Sequence, residues 1–296
     1  MRMSWGPRLL AAALLLAVGG CGISKADSAS PPPVRSSAPM FGPLVAGPST
    51  PPEPVPAPKA RVNQADVAAA IRAVSPSATA AILVRDRLTG DEMVSVEADR
   101  PFRSASLVKL LIAVDVLRDG VPDERTAERI RQMLGPSNDG VASNYWGELG
   151  GTALLDRGCA LMGLTSVAPP DIAGRWGNVM ISARDVGTVF EYVLTKLPTD
   201  ARDLVVNAMA ASPATAADGF DQDFGITSAL AAPRAVKQGW SDSAANIVVH
   251  STGLVGTGWR YVVVVLTEHP RGMSWARASA SVTAGTQALA DAVARV

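Results

Sequence analysis

The chain has 296 residues, nearly half of them apolar, so it can bury a full core in one domain or two small ones. Its 27 basic and 27 acidic residues balance, and no run of like charge stands out. This excludes the basic field that a nucleic-acid partner requires. Two cysteines and two histidines, without metal-like companions, exclude a disulfide framework inside the mature chain and give no reason to expect a metal or other cofactor.

Residues 1–20 read as an export signal. Arg2 and Arg8 flank a short apolar segment from Leu9 to Val18, too short for a permanent membrane-spanning helix. Val18-Gly19-Gly20 then places small residues directly before Cys21, which resembles the bacterial lipobox; this implies a lipidated Cys21 as the mature N-terminus. Residues 21–60 form a tether, because 11 of the 22 prolines fall between Pro31 and Pro58 among Ser, Ala and Gly. In a polyproline-like form it would hold a domain up to roughly 100 Å from its anchor, at about 3.1 Å per residue. Such a chain is expected outside the cytoplasmic membrane, held there by lipid.

The folded part is expected over 61–296. An amphipathic helix is predicted at 62–74, then strands at 79–85 and 92–96 joined by a turn around Gly90. Helices follow at 106–118, 122–134, 140–149 and 152–162, the last holding Cys159 as a core residue. After an irregular stretch at 175–181 come helices at 183–196 and 200–210, strands at 234–240, 246–255 and 259–267, and one long closing helix at 275–296. Two early strands, a helical block and three late strands predict an α+β fold of the α/β sandwich type. Its five-stranded antiparallel sheet is built from both ends of the chain and flanked by helices. A helical lobe covers about 119–230.

Ser106 and Lys109 open the first helix of the block. A spacing of three places both side chains on one face, with Ser106 near helix-terminal N–H groups that favour a developing alkoxide. Lys109 can take the serine proton if burial or a second cation lowers its pKa. Ser137-Asn138-Asp139 sits in a loop between helices, where a hydroxyl can project into a cleft. Lys237-Gln238-Gly239 lies on the first late strand: the lysine brings a second cation, and the glycine admits a ligand close to the backbone. The amides of Ser106 and Trp240 can then form an oxyanion hole.

In this order the motifs resemble the class A β-lactamase and penicillin-binding protein superfamily, with its S-x-x-K, S-D-N and K-T-G set. More narrowly, the Lys237-Gln238-Gly239-Trp240 strand and the Ser251-Thr252-Gly253 of its neighbour resemble exported lipoproteins of that superfamily. The resemblance implies Ser106 as the acylated nucleophile, Lys109 as its base, Ser137 as proton relay and Lys237 as the cation that polarises the relay. It implies a peptidoglycan-type peptide, a β-lactam or an ester as substrate; the protein is expected to be a monomer that needs no cofactor. Asp139 and Gln238, with Gly239 and Trp240, fall where substrate is held. Three positions depart from the pattern: Asp139 replaces an amide, Gln238 replaces a hydroxyl, and in Arg175-Trp176-Gly177 a glycine replaces the glutamate that activates deacylating water. Loss of such a base removes about 10²–10⁴-fold in rate. The resulting expectation is an acyl-enzyme former that turns over slowly, or a protein that keeps the cleft only to bind a wall peptide or a protein partner.

Overall fold

Asn63 starts the first helix: its side-chain oxygen accepts the Ala65 N–H at 3.2 Å and caps α1 (Gln64–Val74). The computed structural model describes residues 63–293; the export signal, Cys21 and the proline-rich tether lie outside the described residues. Strands β1 (Thr79–Asp86) and β2 (Glu92–Val96) follow, then a short β3 (Pro101–Arg103). A 3-10 turn at Ala105–Leu107 leads into α2 (Val108–Leu117), α3 (Glu124–Leu134), α4 (Asp139–Glu148) and α5 (Ala153–Met162). The chain continues through β4 (Met180–Ser182), α6 (Ala183–Thr195), α7 (Thr199–Ala210) and a single turn, α8 (Ile226–Ala229). It closes with β5 (Arg234–Asp242), β6 (Asn246–Val255), β7 (Tyr261–Pro270), α9 (Trp275–Gln287) and α10 (Ala290–Val293).

The five long strands form one antiparallel sheet in the order β2-β1-β7-β6-β5, so the α+β architecture joins the two ends of the chain as expected. The unbroken apolar run Val262–Leu266 on β7 has its explanation here. Val262, Val264 and Leu266 face a core shared with α2 and α6, while Val263 and Val265 face a second core shared with α1 and α9. Each of these side chains is fully buried, an effect of about 1.5–3 kcal/mol apiece relative to exposure. Gly285 lets α9 close on α1, since a Cβ there would lie 2.5 Å from the Ile71 side chain.

Three features differ from expectation. The small sheet formed by β3 and β4 was not predicted; each strand has three residues, too few to show an alternation. The last strand starts at Tyr261 rather than 259, because Gly256, Gly258 and Trp259 turn the chain with positive φ. The closing helix breaks after Gln287, and the break delivers Leu289 to the core with no exposure.

Candidate active site

Ser106 is fixed by backbone geometry before any side chain acts. It lies in the 3-10 turn rather than in α2 itself, directly after Ala105, whose φ is +47°. The Ser104 N–H donates to Val179 O at 2.7 Å, so the β3–β4 sheet clamps the segment entering the turn. α2 is buried along most of its length, and this carries Lys109 inside with no exposure. Across from it, Ser137 sits between α3 and α4 with φ +61°, a left-handed conformation uncommon for a residue with a Cβ. The Asn138 side chain accepts the Val141 N–H at 3.1 Å and caps α4, leaving the Asp139 carboxylate free to turn inward.

Five side chains meet as one hydrogen-bonded group. Lys109 Nζ is 3.0 Å from Ser106 Oγ, 2.9 Å from Ser137 Oγ and 2.6 Å from Ser137 O. Ser137 Oγ is 3.0 Å from Ser106 Oγ, and Lys237 Nζ donates to Ser137 Oγ at 2.9 Å and to Gln238 O at 3.0 Å. Lys109 Nζ also donates to Asp139 Oδ1 at 2.5 Å, a pair whose acid side chain is 62 % exposed while the lysine is fully covered. An ammonium has three N–H donors, whereas four oxygens surround Lys109 Nζ. Not all four contacts can be full N–H donations at once, so Lys109 Nζ shares its hydrogens among Ser106 Oγ, the two Ser137 oxygens and Asp139.

Burial pushes the Lys109 ammonium below its usual range, and the Asp139 carboxylate works against that shift. Lys237, wholly buried, is driven well below the usual lysine value by desolvation and then by the neighbouring Lys109 charge. Indole faces cover both amines: Trp176 lies 5.1 Å from Lys109 Nζ and Trp240 5.9 Å from Lys237 Nζ.

β5 is the free edge of the sheet and lies against the serine turn. Gly239 permits this approach, because a Cβ there would stand 3.2 Å from Ser104 O and 3.3 Å from Leu107 Cγ. Lys237 O accepts the Thr252 hydroxyl of β6, while Gln238 O accepts Lys237 Nζ on the site side. Strand alternation therefore places the Trp240 N–H on the same free edge as Gln238 O, where it can serve with the Ser106 N–H as oxyanion donor. The Gln238 side chain is not brought to this group. Its Nε2 donates to Gln222 O at 3.0 Å and Phe224 O at 2.8 Å, because strand pleating turns it toward the loop before α8.

A cleft of about 340 Å³ opens over Ser106, lined also by Asp139, Trp176, Gly177 and Trp240. Gly177 thus reaches the wall where the resemblance implies a glutamate, and no side chain projects from it. Asp218, Asp242 and Trp275 also line it and were not singled out from sequence. Asp218 accepts Trp240 Nε1–H at 3.0 Å, and Phe220 stacks on Trp240 with ring centres 4.4 Å apart. Their loop is pinned to the serine loop, since Ala217 N–H donates to Pro136 O at 2.7 Å. A turn-rich stretch whose three aspartates follow no helix or strand period carries no signal for this placement, so only the folded chain brings Asp218 to the site. Among the described residues no group of three or more His, Cys, Asp or Glu is placed to hold a metal ion.

A family described as Beta-lactamase2, the Beta-lactamase enzyme family, matches residues 64–130, a span that includes Ser106 and Lys109. A protein named "Putative lipoprotein LppW", from Mycobacterium tuberculosis and Mycobacterium bovis, is 33 % identical over 292 residues, covering 91 % of this chain and 92 % of the relative. Among solved structures, a β-lactamase from Streptomyces albus G superposes with a TM-score of 0.63 at 17 % identity, covering 78 % of this chain and 98 % of that one. A class A β-lactamase from Mycobacterium abscessus gives 0.60 at 16 % identity, with coverages of 76 % and 97 %. A variant of PBP-A, solved as its acyl-enzyme complex with penicillin G, gives 0.58 at 19 % identity, with coverages of 75 % and 94 %. This chain belongs to the family of the mycobacterial lipoprotein LppW, built on the fold of the class A β-lactamases and penicillin-binding proteins.

Proposed function

We propose that the protein is an exported, lipid-anchored serine acyl hydrolase of the cell envelope, which forms an acyl-enzyme on Ser106 and releases it slowly. One observation carries the reading: Ser106, Lys109, Ser137 and Lys237 form a continuous buried group with every link at 3.0 Å or less. Neutral Lys109 removes the Ser106 proton as Oγ bonds to the acyl carbon. The Ser106 and Trp240 amides hold the oxyanion. The proton then passes through Ser137 to the leaving alcohol or amine as its bond to the acyl carbon breaks. Hydrolysis of the ester on Ser106 needs an activated water, and Gly177 offers no carboxylate to activate it. A peptidoglycan-type peptide, a β-lactam or an ester has the required acyl group. Export and lipid attachment at Cys21 rest on the N-terminal sequence and on the lipoprotein relative; no helix among the described residues is long and apolar enough to cross a membrane.

A second reading, a binding lipoprotein with an inert serine, draws on the Asp139 ion pair, which favours the protonated, non-basic form of Lys109. Intact-mass analysis of the full chain with a penicillin and with simple esters separates the two. The hydrolase reading predicts a stable adduct that Ser106→Ala abolishes; no adduct and no turnover would leave the binder.

A further inference from the structure

Resting on the hydrolase reading, we propose that the acyl donor taken by this cleft carries a cationic, amine-type group, not the carboxylate that Lys237 would attract. Three carboxylates line the cleft, those of Asp139, Asp218 and Asp242, against a single lining cation, Arg175. Lys109 offsets Asp139 through their ion pair. With Arg175 counted, the lining and Lys109 keep a net negative charge of one, and Asp218 and Asp242, both exposed, are the two lining acids outside that ion pair. Arg103 is not part of the lining, but it donates to the Asp242 backbone carbonyl at 3.1 Å and its charge interacts with the Asp242 carboxylate.

The groups that could hold a substrate carboxylate are turned away or covered. Both hydrogens of Gln238 Nε2 are occupied by the carbonyls of Gln222 and Phe224. Lys237 is fully buried and already donates to Ser137 Oγ and Gln238 O. A carboxylate entering the cleft would pass Asp139 and Asp218 before reaching either amine.

The groups that would hold a cation are pre-arranged. Asp218 Oδ2 accepts Trp240 Nε1–H at 3.0 Å and Oδ1 accepts the Phe220 N–H at 3.0 Å, so the carboxylate is fixed while each oxygen keeps a second lone pair. Phe220 stacks on Trp240 at 4.4 Å and meets Trp275 edge-on at 5.5 Å, which locks both indoles beside Asp218. Trp275 is 37 % exposed and lines the cleft. Carboxylate and indole together are the chemistry that recognises an ammonium group.

The test uses three esters with the same acyl chain, ending in an amine, a carboxamide or a carboxylate, and follows labelling of the full chain by intact mass. The amine donor is expected to label about tenfold faster than its carboxylate twin, the size of one nearby charge interaction. That ratio should fall toward one in Asp218→Asn, and in the parent at high salt, which screens exposed charges without any substitution. Equal rates for the amine and carboxylate donors, or faster labelling by the carboxylate, with the carboxamide still labelling, would overturn the charge preference and leave the hydrolase reading standing. No labelling by any of the three would overturn both.

Discussion

At Lys109 two influences oppose each other: burial disfavours the ammonium, and Asp139, 2.5 Å away, favours it. Replacing Asp139 by Asn removes the favouring charge, so the lysine loses its proton at lower pH. Acylation that requires neutral Lys109 then begins at lower pH, and the acid limb of the pH–labelling profile shifts downward in Asp139→Asn. A limb that stays in place would show that Lys109 is not the base. Gly177 offers a second single-residue test. Its φ is not positive, and a Cβ there meets only Ala105 Cα, at an ordinary 3.8 Å. Gly177→Glu should therefore fold and place a carboxylate at the cleft wall. Release of the acyl group is expected to speed up about tenfold or more, within the range of general-base catalysis. Adduct lifetime by mass reads this directly; an unchanged lifetime would mean that water is not the missing component. The residues that the fold gathers at this group could be picked out in the sequence because each motif is short and local: Ser106 and Lys109 are one helical turn apart, and Ser137 and Lys237 stand in their own motifs. The direction of Gln238 was not legible, since it depends on which way strand β5 pleats.

At the scale of elements, the site exists because β5 reaches the serine turn, and Gly239 sets that distance. Gly239→Val would force its side chain into Ser104 O and Leu107, separating the Trp240 N–H from the Ser106 N–H. We expect it to lose at least about tenfold in labelling rate through the oxyanion donor, with a thermal midpoint lower by a few degrees. Full labelling in a folded Gly239→Val protein would remove Trp240 from the mechanism. The strands and most helices could be predicted from apolar periodicity and from Gly and Pro punctuation. The β3–β4 clamp and the 211–225 loop could not, because their roles come from hydrogen bonds between residues far apart in sequence, such as Ser104 with Val179 and Ala217 with Pro136.

Across the whole molecule, two buried histidines link stability to pH. His250 and His269 are held neutral by burial, each pushed down to about 4. As pH falls through about 6.5 the unfolded chain takes up protons that the folded chain refuses, so stability is complete above about 6.5 and declines toward pH 4. The thermal midpoint should fall steadily over that window, and less steeply in His269→Asn; a flat profile in the parent would contradict the burial of both rings. The double covering of the sheet, which leaves β7 apolar on both faces, was readable from its uninterrupted valines. The break before Leu289 was not, because alanine-rich sequence favours continuing the helix and only tertiary packing ends it.

The most direct test of the account is the mass of the full chain after incubation with a penicillin, beside Ser106→Ala. A lasting increase equal to one penicillin molecule, present in the parent and absent in the variant, is the predicted result. An unmodified parent that also leaves penicillin and simple esters intact would contradict it.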